Sequence, residues 1–550
     1  MTIISKSSAL LSLLNSYKHR YINRARYFTV RKKAEHAMLD FAKDASAQKP
    51  RTATAKKVLI DGTWDNPNFW FRLNLTIPAL GLENTKKEGL LGHFARPEVR
   101  GSFSRFGIEV SQDLAAIKKT IPCQRARARE LLNQTQTPDD MLEWELPGGV
   151  PGGLLYDSLL KWMRKGVAEL DNPKLEKYVA RALTQIETSK RVIENTDADL
   201  LIASHAIGVE YGSLAWFAIK KGIDIACLYG DFGSQRFLRI TDTDQLFTES
   251  HVPARDEFFS LDQDKRDRLA ELGYDQLIRR ISGQTNDIGA QQAYLVNNTN
   301  ITREDILKTF NWSPDKPIIC VYAQNWFDFP RYLGLDSFRD FYDWIQVTLA
   351  AAHANTDVNW LFKSHPCDRI YNIPEQDQLK TMLKVQPADN IGYVPEDWNG
   401  QKIMESIDGA VTCTGSIGFE FPAQGKPVLL AERGWYGHLD VGVTSKSRED
   451  YIRLLGTSWW DEFDTNQMPR HAKQFLGWYF CLPDWQKTCI FNDDSGRQDI
   501  YFDVEEFINT HKDSLNKEIE TIRKWFDAGD FRYHVFKIKT ADGYQMGNIL

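Results

Sequence analysis

A strand that runs into a histidine and a proline is the part of the sequence best suited to chemistry. The apolar run Trp360–Phe362 leads into Lys363-Ser364-His365-Pro366. Proline disfavours helix at the residue before it, so His365 is expected in an extended turn at the end of a strand. An imidazole held there beside a lysine can bind an anionic phosphate. The alternative is a histidine whose hydrogen bonds are satisfied within the turn.

A second motif also ends a predicted strand. The run Ala410–Thr412 is followed by Cys413-Thr414-Gly415-Ser416 and then by Ile417–Glu420. Small residues that open a helix let an anion approach the backbone, where free N–H groups and the helix dipole attract it. Glu420 lies four residues after Ser416, and a capping box needs three, so capping does not explain it. The spacing puts Glu420 on the same helix face as Ser416, where we expect its carboxylate to accept hydrogen bonds from two ribose hydroxyls. The alternative is a turn whose glycines only ease packing.

The His-Pro turn and the downstream segment T-G-S-I-G-F-E…G-K-P-V resemble the capsule polysaccharide biosynthesis glycosyltransferases, notably the bacterial Kdo transferases, and more distantly the transferases that use CMP-sialic acid. The resemblance covers about residues 318–436 and includes Gly434-Trp435-Tyr436. It implies that the nucleotide phosphate of a CMP-activated sugar is held by His365, Pro366, Thr414, Ser416 and Glu420. The teichoic-acid polymerases share a related pattern, so a CDP-activated polyol is an alternative donor.

Position alone adds further donor-binding candidates. Lys363 and Gly415 belong to the two motifs, and Gln324 and Asn325 follow the first strand of the second half of the chain. These four residues are predicted to contact phosphate or sugar. Tyr393–Glu396 is predicted to offer backbone groups to the nucleobase.

Sugar transfer also needs groups from the first half of the chain. Inversion uses one general base, and retention through a covalent adduct uses a carboxylate nucleophile. The candidates that follow predicted strands are His205, Glu210 and Asp231. Asp231 is preferred because the glycines near it leave room for a sugar. Asp61 and Asp65 are weaker candidates.

The order of apolar runs predicts how these residues are positioned. Short β-branched runs alternate with longer amphipathic stretches, which is typical of parallel α/β folds. The segments 197–228 and 408–430 share the order strand, polar turn, I-G-x-E, helix, glycine and strand. We therefore predict two Rossmann-like domains that face each other across a cleft, the GT-B architecture, with ligands at the carboxyl ends of the strands.

The predicted boundaries follow composition. Residues 1–55 form a basic helical arm, 56–300 an acceptor domain, 301–470 a nucleotide-sugar domain, and 471–550 a helical segment that packs back on the body. Lys18, Arg20, Arg24 and Arg26 lie in the arm together with Arg31, Lys32 and Lys33. The arm either lies on an anionic membrane surface through residues 1–33, or packs its apolar stripe on the body.

Composition excludes several other classes of protein. The 550 residues are 42% hydrophobic with a net charge of −6, so neither a disordered chain nor a nucleic-acid partner is indicated. The seven cysteines lack CxxC spacing, which disfavours zinc and a disulfide framework. Walker A and G-x-G-x-x-G motifs are absent, and Asp242-Thr243-Asp244 is interpreted as a chance match to a metal-binding D-x-D. No cofactor or metal is predicted.

The sequence thus predicts a metal-independent glycosyltransferase that is cytoplasmic, with the arm holding it at the inner face of the cell membrane. The donor is a nucleotide sugar, CMP-linked Kdo or a related acidic sugar, and the acceptor is a surface polysaccharide or lipid-linked glycan. The alternatives are a polyol-phosphate transferase and a non-catalytic subunit of a polysaccharide assembly or export complex.

Overall fold

The computed structural model describes residues 28–229, 236–247, 252–284, 288–294, 299–371, 373–480, 504–533, 537–540 and 543–546. It contains two six-stranded sheets and a C-terminal hairpin. The predicted two-domain α/β fold is confirmed, because each sheet is surrounded by helices and the two sheets share one strand order.

The first sheet has the order β3-β2-β1-β4-β5-β6, the strand order of a Rossmann fold. All its neighbouring strands are parallel except β5 and β6. Alternate residues of β1 enter two separate apolar cores, since Leu59 faces one and Val58 and Ile60 face the other. The strands are β1 Lys57–Gly62, β2 Lys86–Leu91, β3 Glu109–Asp113, β4 Leu200–Ala203, β5 Asp224–Tyr229 and β6 Arg236–Ile240.

Eight helices accompany this sheet among the described residues, and several begin at residues that cap them. Asn66 accepts a hydrogen bond from Asn68 at the start of α2, and Asp113 accepts two at the start of α4. The helices are α1 over residues 28–48, α2 Pro67–Leu80, α3 Arg96–Arg105, α4 Leu114–Thr120, α5 Arg125–Gln134, α6 Gly152–Met163, α7 Leu175–Glu194 and α8 Ser213–Lys220. A π-helical turn, Gly208–Gly212, precedes α8.

The second sheet has the order β12-β11-β10-β7-β8-β9 and is parallel throughout. Renumbered from its first strand, this is the same order as in the first sheet. The strands are β7 Ile318–Tyr322, β8 Asn359–Lys363, β9 Ile391–Tyr393, β10 Gly409–Thr412, β11 Val428–Leu430 and β12 Val443–Thr444.

Most of the remaining helices belong to this second domain: α9 Arg255–Phe259, α10 Gln263–Ile281, α11 Ile288–Tyr294, α12 Arg303–Phe310, α13 Phe341–Ala354, α14 Asp368–Tyr371, α15 Leu379–Val385, α16 Gly400–Ser406, α17 Ile417–Glu420, α18 Arg448–Leu455 and α19 Gln467–Phe480. Helix α20, Val504–Ala528, and the hairpin β13 Lys537–Thr540 and β14 Gly543–Met546 end the described chain.

The domain boundaries stay a prediction, and the apolar cores show which elements pack together. Phe258 and Leu269, placed in the acceptor domain by the sequence, share a core with β7 and β10 of the second domain. Phe475, placed in the C-terminal segment, belongs to that core as well. The reason is a close pairing of α10 with α19, where Gly273 lies against the backbone of Lys473. Helix α20 instead packs on the first domain, where Phe507 meets Phe71.

The described part of the basic arm packs on the body. In α1, Ala34, Met38 and Phe41 enter the first-domain core. Arg31 is buried and donates to both carboxylate oxygens of Asp65, at 2.8 and 2.7 Å, so it is not part of a membrane-facing surface. Lys18, Arg20, Arg24 and Arg26 lie outside the described residues. No helix among the described residues is both long and apolar enough to cross a bilayer.

A loop between β7 and α13 joins the two domains. The Asp157 carboxylate on α6 accepts hydrogen bonds from the backbone N–H groups of Arg331 and Tyr332, both at 3.1 Å. Tyr156 donates to Asp340 at 2.6 Å. Tyr332 then lines a small cavity together with His205, which follows β4. Residues from the carboxyl ends of both sheets therefore meet at this loop.

Candidate functional site

Three strands of the second sheet end level with one another. Tyr322 of β7 pairs with Lys363 of β8 on one side and with Thr412 of β10 on the other. The His-Pro turn and the Thr-Gly-Ser turn therefore leave the same sheet edge, two strand spacings apart, or about 10 Å. This edge includes the point where the strand order reverses, which is where ligands bind in open α/β sheets.

A cavity of about 310 Å³ opens at the ends of β8 and β9. Both the His-Pro turn and the predicted nucleobase segment contribute to its wall, although they are far apart in sequence. The lining residues include Lys363, Ser364, His365, Asp368, Tyr393 and Glu396. The Tyr393 and Ser364 hydroxyls are 3.1 Å apart, which ties the two walls together. The structure thus brings two separately predicted elements into one cavity.

The turn favours one tautomer of the neutral His365 ring. The backbone N–H of Cys367 donates to His365 Nδ1 at 3.2 Å, so Nδ1 acts as an acceptor. In the neutral imidazole the proton is then on Nε2, which makes Nε2–H a hydrogen-bond donor. Lys363, a buried residue, lines the same cavity. Such a pair can hold a phosphate oxygen with one neutral donor and one cation.

Asp368 is a residue of this cavity that the sequence interpretation missed. It lies three residues after His365, and its Oδ1 is buried without a hydrogen-bond partner among the described residues. Burial raises the pKa of this carboxyl to about 7, although the Lys363 charge opposes the shift. Its charge therefore changes near neutral pH, inside the cavity. The sequence did contain a signal for this residue, namely a carboxylate shortly after the His-Pro pair.

The Thr-Gly-Ser turn keeps donors available although its helix is short. Helix α17 has only four residues and gives way to a 3-10 turn at Pro422–Gln424, because proline cannot continue the hydrogen-bond pattern. The predicted helix dipole is correspondingly small. The N–H groups of Ser416 and Ile417 donate to no described residue. These two N–H groups, rather than a long dipole, are what the turn offers an anion.

Side chains from β7 and β10 support this turn. Gln324 donates to Thr412 Oγ1 at 2.9 Å, and Gly415 N–H donates to the same oxygen at 3.3 Å. A Cβ at residue 415 would lie 2.7 Å from Gln324 Nε2 and 2.9 Å from Thr412 Oγ1, so a side chain there would displace this hydrogen-bonded pair. Thr414 Oγ1 and Asn325 Nδ2 are buried without partners among the described residues. Both are polar atoms that a bound ligand or water can satisfy.

Glu420 has a different place from the one predicted. It is 1% exposed, Arg280 donates to its Oε1 at 2.8 Å, and Tyr294 donates to its Oε2 at 2.8 Å. The carboxylate is thus held by α10 and α11, and it does not line the cavity. Helix α11 also carries Gln292, which lines the cavity. Through its hydrogen bond to Tyr294 on the same helix, Glu420 therefore anchors this wall of the cavity.

The first sheet edge contains a second cluster of titratable groups. His205, after β4, lies edge-on to Trp64 with ring centroids 4.5 Å apart and is 5.1 Å from the Tyr211 ring. Burial, assisted by the Arg72 charge, lowers the pKa of His205 to about 4, so the ring is neutral at physiological pH. A histidine of that pKa is a weak general base.

Asp61, weighed as a weaker candidate in the sequence, ends β1 beside this cluster. One oxygen accepts from Thr63 N–H at 2.9 Å, and the other is buried without a partner among the described residues. Burial raises the pKa of Asp61 to about 6. The value suits a proton acceptor near neutral pH.

The other first-domain candidates are placed as follows. Glu210 lies on the π-helical turn and forms an ion pair with Arg181 at 2.8 Å. The Asp65 carboxylate accepts hydrogen bonds from Arg31 and from the Trp70 indole N–H. Asp242 accepts a hydrogen bond from Asp244 N–H within an ordinary turn. Asp231 lies outside the described residues, so its role stays a prediction.

Comparisons with known proteins give remote structural similarities. No family model and no curated protein sequence matches the chain. The KpsC β-Kdo 2,4-transferase of Thermosulfurimonas dismutans is 11% identical, with 50% of this chain and 78% of that chain covered and a TM-score of 0.31. The UDP-GlcNAc 2-epimerase of Neisseria meningitidis bound to UDP-GlcNAc is 13% identical over 76% of this chain and 97% of that one, with a TM-score of 0.23.

The glycosyltransferase SnogD of Streptomyces nogalater is 10% identical, with 77% of this chain and 95% of that chain covered and a TM-score of 0.21. Similarities at these identities and scores assign no activity and no substrate to this chain. The fold is established by its own strand orders.

Proposed function

We propose that this protein is a glycosyltransferase that uses a CMP-activated sugar, Kdo or a related acidic sugar, and transfers it to a surface polysaccharide or lipid-linked glycan. The observation that carries the proposal is the second sheet edge, where Lys363 and the His365 Nε2–H donor share one cavity and the Thr-Gly-Ser turn leaves the neighbouring strand end. The resemblance of these two turns to the Kdo transferases supplies the choice of nucleotide and sugar.

In the proposed reaction the bond between the anomeric carbon and the phosphate oxygen breaks, and CMP leaves with that electron pair. His365 and Lys363 stabilise the negative charge that develops on the leaving phosphate. The acceptor hydroxyl forms the new bond to the anomeric carbon and gives up its proton. The proton acceptor is a carboxylate of the first domain, for which Asp61, at the end of β1, and Asp231, a candidate from the sequence alone, are proposed.

The test is nucleotide release from CMP-Kdo, CDP-glycerol and UDP-GlcNAc, each with the purified full chain. We expect CMP release from CMP-Kdo. Release of CMP only from CDP-glycerol would identify a polyol-phosphate transferase. An absence of binding and turnover with all three donors would contradict the enzyme assignment and favour the non-catalytic alternative.

Two substitutions at residue 365 sharpen this test. Glutamine can place an N–H close to the position of Nε2, whereas asparagine reaches only the position of Nδ1. We expect His365→Asn to lower CMP release about 100-fold or more, the usual cost of losing a donor to a developing anion. His365→Gln should retain more activity. His36→Gln, on the exposed face of α1, is the matched control.

A further inference from the structure

Three side chains that carry a positive charge or a ring nitrogen lie on elements that follow or face the carboxyl edge of the first sheet, on the side of β2 and β3. His93 follows β2, Lys118 lies on α4 directly after β3, and Arg181 lies on α7. We call these three residues the cationic edge. Helix α7 is tied to the end of α4 by a hydrogen bond from Arg191 to Thr120 Oγ1 at 2.7 Å.

The arginines around the cationic edge have carboxylate partners, but Lys118 has none among the described residues. Arg181 pairs with Glu210 at 2.8 Å, and its guanidinium lies 4.0 Å from the centre of the Trp162 ring. Arg96, close to His93, pairs with Asp113. Lys118 is half-buried, and no described carboxylate lies within ion-pair distance of its ammonium. Burial and the Arg181 charge lower the pKa of Lys118, while Glu210 opposes the shift.

His93 adds a second polar atom without a partner. Its Nε2 is buried and makes no hydrogen bond to any described residue. Burial and the charges of Lys118 and Arg96 lower the pKa of His93, so the ring is neutral and can donate a hydrogen bond without adding charge. The next residue, Phe94, exposes 77% of its surface and offers an apolar face nearby. A cation, a hydrogen-bonding ring and an aromatic face are the usual elements of a site for a charged sugar.

The place of the cationic edge in the fold indicates the ligand. His93 and Lys118 follow β2 and β3, which lie beside β1 and β4 in the sheet. Asp61 and His205 follow the same carboxyl edge, where open α/β sheets bind ligands. The donor cavity belongs to the other sheet. A sugar that reaches Asp61 with its hydroxyl can extend along this edge toward Lys118.

We propose that Lys118, Arg181 and His93 bind an anionic group, a carboxylate or a phosphate, of the acceptor glycan. The identification of the ligand as an acceptor rests on the proposed function. The anion site itself is argued only from residues of the first domain. Lys118 supplies the uncompensated charge, Arg181 is oriented by Glu210 and Trp162, and His93 contributes a hydrogen bond.

The test measures binding directly, with three simple probes and the full chain. Methyl glucuronide carries a carboxylate, methyl glucoside 6-phosphate carries a phosphate, and methyl glucoside is neutral. We expect at least one anionic probe to bind about tenfold more tightly than the neutral probe, as a charge-assisted hydrogen bond provides. The better anionic probe identifies the group. Lys118→Gln should remove the preference, and Lys119→Gln, its exposed neighbour on α4, should retain it.

The outcomes separate this inference from the proposed function. Equal affinity for charged and neutral probes, no binding of either anionic probe, or equal effects of the two lysine variants would overturn the inference. CMP binding, measured with the same samples, reports on the donor cavity independently. If the anion preference is present but CMP does not bind and no donor is turned over, the proposed function fails while the anion site stands.

Discussion

The two sheets have the same strand order but place different groups after the strands nearest the point where that order reverses. The first edge carries groups that exchange protons near neutrality or below, Asp61 with a pKa raised to about 6 and His205 with a pKa lowered to about 4. The second carries donors suited to an anion, the His365 Nε2–H and the Ser416 and Ile417 N–H groups. Strand order decides where a ligand lies, and the residues after the strands decide what is done to it.

The largest expected effect concerns Glu420 at the second edge and tests whether it supports the fold or binds the ligand. Arg280→Met leaves the Glu420 carboxylate buried without its cation, so we expect the free energy of unfolding to fall by about 3–5 kcal/mol. Urea unfolding measures it. Arg279→Met, on the exposed side of the same helix, is the control. If Glu420 only supports the fold, the double variant Arg280→Met with Glu420→Leu should recover both stability and CMP affinity. If the double variant recovers stability but not CMP affinity, Glu420 contributes to ligand binding.

The second prediction tests the first edge. Asp61→Asn should lower sugar transfer about 100-fold, the lower range for loss of a general base, and leave CMP affinity unchanged because CMP binds the other sheet. Comparison of transfer rate with the dissociation constant of CMP checks both parts. A parallel loss of CMP affinity would show that Asp61, on the first edge, also contributes to CMP binding.

Stability against pH provides an independent control for Asp61. Because burial raises its pKa from about 4 to about 6, the folded state is penalised for ionising it, and the penalty develops as pH rises between those values and is constant above. Asp61→Asn should remove this decline from the unfolding free energy. An unchanged pH profile would contradict the raised pKa.

The third prediction concerns the pH dependence of the second edge. Asp368, with a pKa raised to about 7, is neutral below that pH and repels phosphate above it. We expect the dissociation constant of CMP to increase several-fold from pH 6 to pH 8.5. The second ionisation of the CMP phosphate, with a pKa of about 6, affects both proteins equally, so the difference between their profiles reports on Asp368. Asp368→Asn should bind CMP more tightly than wild type at pH 8.5 and equally at pH 6. Identical profiles for the two proteins would exclude this role.

The smallest expected effect is at Thr414. Valine has the same shape but lacks the buried, unpartnered hydroxyl, so Thr414→Val should weaken CMP binding by about 1 kcal/mol while stability stays equal or rises. Thr348→Val is the contrasting control, since that hydroxyl contacts Tyr451 at 2.7 Å and its loss should lower stability without changing CMP affinity. Loss of stability in Thr414→Val would mean that the hydroxyl supports the fold.

The prediction of local structure from sequence succeeded where a residue's conformation depends on its immediate neighbours. The proline after His365 and the strand before it located the turn, and β8, Asn359–Lys363, contains the apolar run Trp360–Phe362. It failed where the partner is distant. Nothing near Glu420 in sequence shows that Arg280 and Tyr294 bury it, and nothing near Asp61 shows that burial changes its pKa.

The sequence by itself determined the two α/β domains, because the alternation of β-branched runs with amphipathic segments leaves few other ways to bury apolar surface. It also determined the turns, whose proline and glycine residues restrict the local backbone. Only the tertiary structure decided which helices join which core, as the pairing of α10 with α19 shows. It also decided which charged groups stay available, because pKa and ion pairing depend on burial and on neighbours that the fold brings together from distant segments.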